Sequence, residues 1–114
     1  YEGISSLHSY WDAGGGLFKE RLKRPLGRKD RLTIERYASE VMELYPREDF
    51  QEEIDFSPEE WVKESHRLAI EVGYDGIKPY DVPTKEYEKK TQECVIKRIA
   101  IAGYRLAKIL NEIF

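Results

Sequence analysis

The stretch from Thr84 to the C-terminus constrains the fold more than any other part of the chain. Val95, Ile99, Ala102, Leu106, Leu110 and Ile113 recur at intervals of three and four, which lines one face of an α-helix. Thr84 can cap this helix, and Glu86 and Glu88 stand near its positive end. It is expected to be the longest and most central element, with Val95, Ile99, Leu106 and Leu110 buried. Gly103 costs about 1 kcal/mol relative to alanine inside a helix, which predicts a close helix–helix contact there. Cys94, beside the stripe, reads as a small packing residue rather than a nucleophile.

Upstream, Ser57-Pro58-Glu59-Glu60 is the clearest helix start: a capping serine, proline at the first helical position and a glutamate to complete a capping box. That helix carries Trp61, Leu68, Ala69 and Val72 and frays near Gly73 and Gly76. His66 lies one position round from this stripe, as a half-buried histidine with a local hydrogen bond. Asp30 is the expected N-cap of a helix to about Tyr45, with Ile34, Tyr37, Ala38, Val41, Leu44 and Tyr45 on one stripe and Pro46 ending it. Leu17 to Lys23 can form one or two turns before Pro25, and Leu26-Gly27 is a turn. Arg47 to Phe56 reads as a polar, acidic loop anchored by Phe50, Ile54 and Phe56. Pro79 and Pro83 make Ile77 to Pro83 a connector. No segment alternates with period two. The 114 residues therefore read as a single all-α unit, three or four helices in an antiparallel bundle.

Composition narrows function less than fold. A net charge of −3 gives no global case for a polyanionic partner. Charge is uneven, with seven basic residues between Lys19 and Arg31 and nine acidic ones between Glu40 and Glu60. The basic run could meet phosphate, although a solvated helix and loop accounts for it more simply. No apolar run approaches a membrane span, and Tyr1-Glu2-Gly3 does not begin a signal peptide. With Cys94 alone, no intrachain disulfide can form.

The chemistry-bearing stretch is Leu7-His8-Ser9-Tyr10-Trp11-Asp12, followed by Gly14-Gly15-Gly16. In a helix capped by Ser5 or Ser6, His8 and Asp12 stand at i and i+4 on one face. An imidazole and a carboxylate so placed can grip a divalent metal, most naturally zinc; equally, they can form a local hydrogen-bonded pair. A structural zinc takes four protein ligands and a catalytic one about three plus water, so two ligands do not complete a site. The glycines fit neither a dinucleotide fingerprint nor a P-loop and read as a flexible helix exit. Tyr10 and Trp11 are placed in the core rather than in the site.

Three of these stretches together resemble the zinc-dependent single-strand-specific nucleases typified by nucleases S-one and P-one. Ser6-Leu7-His8-Ser9-Tyr10-Trp11-Asp12 is similar to the family's Asn-Leu-His-x-x-Trp-Asp. Trp61-Val62-Lys63-Glu64-Ser65, continued to Ala69 and Val72-Gly73-Tyr74, is similar to its Trp-Ala-x-Glu-Ser helix. Ala102-Gly103-Tyr104-Arg105-Leu106-Ala107 with Leu110-Asn111 is similar to its closing helix. Ser6 departs from the family's usual asparagine. The resemblance runs over essentially the whole chain and covers the C-terminal part of a larger all-α domain, shared in fold with zinc-dependent phospholipase C.

The resemblance implies a cleft of three zinc ions that hydrolyses single-stranded DNA and RNA to 5′-nucleotides, with 3′-nucleotidase activity in many members. Carried over, His8 and Asp12 are two ligands of one zinc, which binds phosphate oxygens. The third ligand and the paired zincs belong to an N-terminal portion, a required partner outside this chain. Phosphodiester hydrolysis needs an activated water and stabilised oxyanions, and zinc supplies both, bringing the pKa of bound water to about 7. The chain alone is then expected to be inactive, and the complete protein to be secreted or periplasmic. Two alternatives stay open: an all-α interaction or scaffold module, and a phospholipase C-like zinc hydrolase.

Overall fold

The computed structural model describes residues 6–18 and 22–114, and every regular element among them is helical. In chain order these are α1 (Leu7–Asp12), α2 (Arg28–Leu44), a 3₁₀ turn (Arg47–Phe50), α3 (Gln51–Ile54), α4 (Pro58–Leu68), a π turn (Ala69–Gly73) and α5 (Lys85–Ile113). The all-α expectation holds. Among the described residues, no helix is long and apolar enough to cross a membrane.

Most helix starts follow local side-chain chemistry. Ser6 Oγ accepts from the Ser9 amide at 3.2 Å, Ser57 Oγ from Glu60 at 3.4 Å, and Thr84 Oγ1 from Tyr87 at 3.0 Å. At α2 the expectation shifts by one turn. Gly27 is the N-cap, and Asp30, instead of capping, reaches back to accept the Gly27 amide at 3.0 Å. Ser5 lies outside the described residues, as do residues 19–21 of the Leu17-to-Lys23 turns; Leu17, Phe18, Leu22 and Lys23 are not helical. Lys23, Arg24, Arg28, Lys29 and Arg31 are exposed, and Lys19 and Arg21 fall outside the description.

The chain packs as two units, and α5 contributes to both. One takes its described residues from Tyr1–Phe18 and Phe56–Ile96. Its core is Tyr10 and Tyr87, with Leu7, Trp11 and Ile77 packed against them and Thr91 wholly buried. The other comprises Lys19–Asp55 and Lys97–Phe114, around Phe50, Ile54, Ala100, Ile101 and Tyr104, with Val41 and Tyr45 against them. There the Tyr104 hydroxyl donates to the Tyr45 carbonyl at 2.6 Å, and buried Arg105 donates through Nε to the Glu53 carbonyl at 2.9 Å. Phe50 and Ile54 anchor as expected. The expected loop around them is instead two short helical turns, each with acidic residues near its positive end.

The expected burial of α5 is overturned. Ile99, Leu106 and Leu110 are between 43% and 56% exposed, and Val95 is only half-buried. The inner face is Tyr87, Thr91, Ala100, Ile101, Tyr104 and Arg105. Hydrophobicity alone selects the aliphatic face, whereas aromatic rings and hydrogen-bonded polar groups pack just as densely. Gly103 is exposed, and a Cβ there would meet nothing within 4 Å, so the expected close contact is not made among the described residues. No residue of α2 is buried: Ile34 and Leu44 face solvent. His66 is also exposed, not half-buried.

Candidate metal half-site

α1 is six residues long, too short to persist on local hydrogen bonds alone. Ser6 caps its start, serine being a favoured N-cap. Three of its residues, Leu7, Tyr10 and Trp11, pack inward. Tyr10 is buried and stacks on Tyr87 with ring centroids 6.0 Å apart; half-buried Trp11 meets the same ring edge-on at 84°. With this face held by the core, the helical period turns His8 and Asp12 outward.

His8 Nε2 and Asp12 Oδ2 are 3.1 Å apart, with side chains 86% and 68% exposed. Two ligands at zinc bond lengths on a tetrahedral ion stand about 3.3 Å from each other. The nitrogen and oxygen donors therefore already converge at a spacing that suits one zinc, and they fit it as half of a ligand set. The same contact is a hydrogen bond in its own right. Among the described residues, no three His, Cys, Asp or Glu side chains gather to hold a metal.

The glycines after α1 are not a flexible exit. Gly14, Gly15 and Gly16 all have positive φ, between 63° and 86°, which admits glycine with little cost. Gly15 is pressed against α5: a Cβ there would sit 3.0 Å from Thr91 Cγ2, and its carbonyl accepts from Gln92 Nε2 at 3.1 Å. The Gly15 amide donates back to the Tyr10 carbonyl at 3.0 Å. The turn thus pins the end of α1 to α5.

Tyr87 is the residue that sequence reasoning missed. Its hydroxyl accepts from Trp11 Nε1 at 2.8 Å and donates to the Gly73 carbonyl at 2.5 Å. Burial pushes its pKa above the usual phenol value, with the Trp11 hydrogen bond acting against that rise. The available signal was weak: an aromatic in the first turn of α5, off the aliphatic stripe. The π turn at the end of α4, closed by the Tyr74 amide on the Ala69 carbonyl at 2.8 Å, supplies the Gly73 acceptor.

A cleft of about 240 Å³ in the same unit is lined by Glu71, Asp75, Glu86, Lys90 and Thr84, among others. It does not include His8 or Asp12, and its three carboxylates against one ammonium disfavour a phosphodiester.

Residues 2–114 match the family described as S1/P1 Nuclease. A 57-residue stretch is 40% identical to Endonuclease 1 of Arabidopsis thaliana, covering 50% of this chain and 19% of that protein. No solved structure matches the chain. A match over nearly every residue shows that this chain belongs to the S1/P1 nuclease family.

Proposed function

We propose that this chain supplies two ligands, His8 and Asp12, to one zinc of a single-strand-specific nuclease that hydrolyses DNA and RNA to 5′-nucleotides. The carrying observation is the convergence of His8 Nε2 and Asp12 Oδ2, 3.1 Å apart on the solvent side of a helix whose other side is locked to a core. Membership of the nuclease family supports the reaction class. Zinc, when bound, would supply Lewis-acid stabilisation of phosphoryl oxygens and an acidified water. Residues of this chain do the positioning. With zinc bound, the carboxylate of Asp12 would offset part of its charge, and an imidazole ligand from His8 would leave the remainder to attract phosphate.

The reading requires further ligands from the rest of the family's domain. Two features support such a missing partner. The C-terminal half of α5 exposes Ile99, Leu106, Ile109, Leu110 and Ile113, an apolar set that a larger body would cover. α2, seventeen residues long, buries none of them. Export from the cytoplasm and 3′-nucleotidase activity are part of the same proposal.

The test is release of 5′-nucleotides from single-stranded DNA and RNA by the full-length protein, with zinc and after chelation. Zinc-independent turnover would refute the reading. A protein that folds with the rest of its domain yet neither binds zinc nor cleaves any phosphodiester would favour an interaction module. Cleavage confined to phospholipids would favour the phospholipase C-like alternative.

A further inference from the structure

Helix α1 has six residues, so its rotation about its own axis is set by tertiary contacts. A turn of one residue position is about 100°, enough to redirect the face that His8 and Asp12 share. Besides the Tyr10 stacking and the Gly15 turn, one contact that fixes this rotation runs through a single oxygen. Trp11 Nε1 donates to Tyr87 Oη at 2.8 Å, and Tyr87 Oη donates to the Gly73 carbonyl at 2.5 Å. Trp11 is the neighbour of Asp12, Tyr87 stands in the first turn of α5, and Gly73 ends the π turn. Three segments distant in sequence are joined at this hydroxyl, while the ring beneath it carries both Tyr10 and Trp11.

We propose that Tyr87 is the positioning residue of the His8/Asp12 half-site: by clamping Trp11 to Gly73 it fixes the direction in which the pair faces, and so where it meets the ligands supplied by the rest of the domain. This rests on the reading of His8 and Asp12 as zinc ligands. Tyr87 makes no contact with His8 or Asp12 in this role; it acts through Trp11. Tyr87→Phe keeps the stacked ring and removes only the oxygen, so the Trp11 N–H and the Gly73 carbonyl lose their shared partner.

A matched control exists in the other unit. The Tyr104 hydroxyl makes an equivalent bond to the Tyr45 carbonyl at 2.6 Å, so Tyr104→Phe deletes the same chemical group from a part of the chain that carries neither ligand. Zinc affinity is read in the full-length protein by competition with a chromophoric chelator, alongside circular dichroism and melting. Outer-shell partners of metal ligands are commonly worth 10–100-fold in affinity. Tyr87→Phe is expected to weaken one zinc about tenfold at unchanged helix content, with excess zinc restoring nucleotide release. Trp11→Phe should do the same, and Tyr104→Phe should lower the melting temperature while leaving zinc affinity at the wild-type value. Wild-type affinity in both Tyr87→Phe and Trp11→Phe would overturn the proposal, as would an equal loss in Tyr104→Phe. A full zinc complement in His8→Ala would instead overturn the zinc reading on which it rests.

Discussion

At the scale of single residues, the site face of α1 depends on a few short-range rules. Ser6 accepts the Ser9 amide, and loss of an N-cap costs about 1 kcal/mol. Ser6→Ala should therefore lower the melting temperature by a few degrees, and Ser6→Asn should restore it. Two phenols give a pH signature. Tyr87 and Tyr104 both have pKa values raised by burial, so the folded chain holds their protons more tightly than the unfolded chain does. Their contribution to stability is complete below the ordinary phenol pKa near 10 and is lost as pH rises through the folded values. Denaturant titrations at increasing alkalinity should show this fall, and the double Tyr→Phe variant should flatten it. The pairing of His8 with Asp12 and the capping by Ser6 were readable because both are local. The seat of Gly15 on Thr91 was not, since nothing near Gly15 in sequence announces a residue of α5.

At the scale of elements, α5 shows where a hydrophobic pattern misleads. Its aliphatic stripe was evident from spacing, and it is the exposed side. The packed side uses Thr91, Tyr104 and Arg105, whose polar atoms find carbonyl partners from Tyr87, Tyr45 and Glu53. Such partners cannot be anticipated from a residue's own hydropathy. The two faces should respond differently to substitution. Ile101→Ala empties a buried position and should cost about 2–4 kcal/mol in this chain as it stands. Leu106→Asp should change the stability of the 114-residue chain little, because that side chain already meets water. In the full-length protein the same substitution should be strongly destabilising, since the proposed remainder of the domain would cover it. Equal and small effects in both contexts would argue against such a cover.

At the scale of the whole molecule, the chain belongs to a nuclease family, and among the described residues no three His, Cys, Asp or Glu side chains gather to hold a metal. A two-ligand half-site binds zinc weakly and leaves no organised nucleophile, so the 114-residue chain alone should hydrolyse single-stranded DNA at near the background rate. The helical class and the α1 pair were accessible from sequence because each rests on spacing within one segment, and the family likeness because three such segments carry it together. The division into two units was not, because it depends on how α5 shares its length between them. The central claim is that His8 and Asp12 hold a zinc used in phosphodiester cleavage. It is tested most directly by zinc-dependent release of 5′-nucleotides from single-stranded DNA by the full-length protein and its His8→Ala variant, matched for helix content. Losing a direct ligand should cost at least as much as losing an outer-shell partner, so a fall on the order of 100-fold or more is expected. Wild-type turnover in His8→Ala would contradict the account.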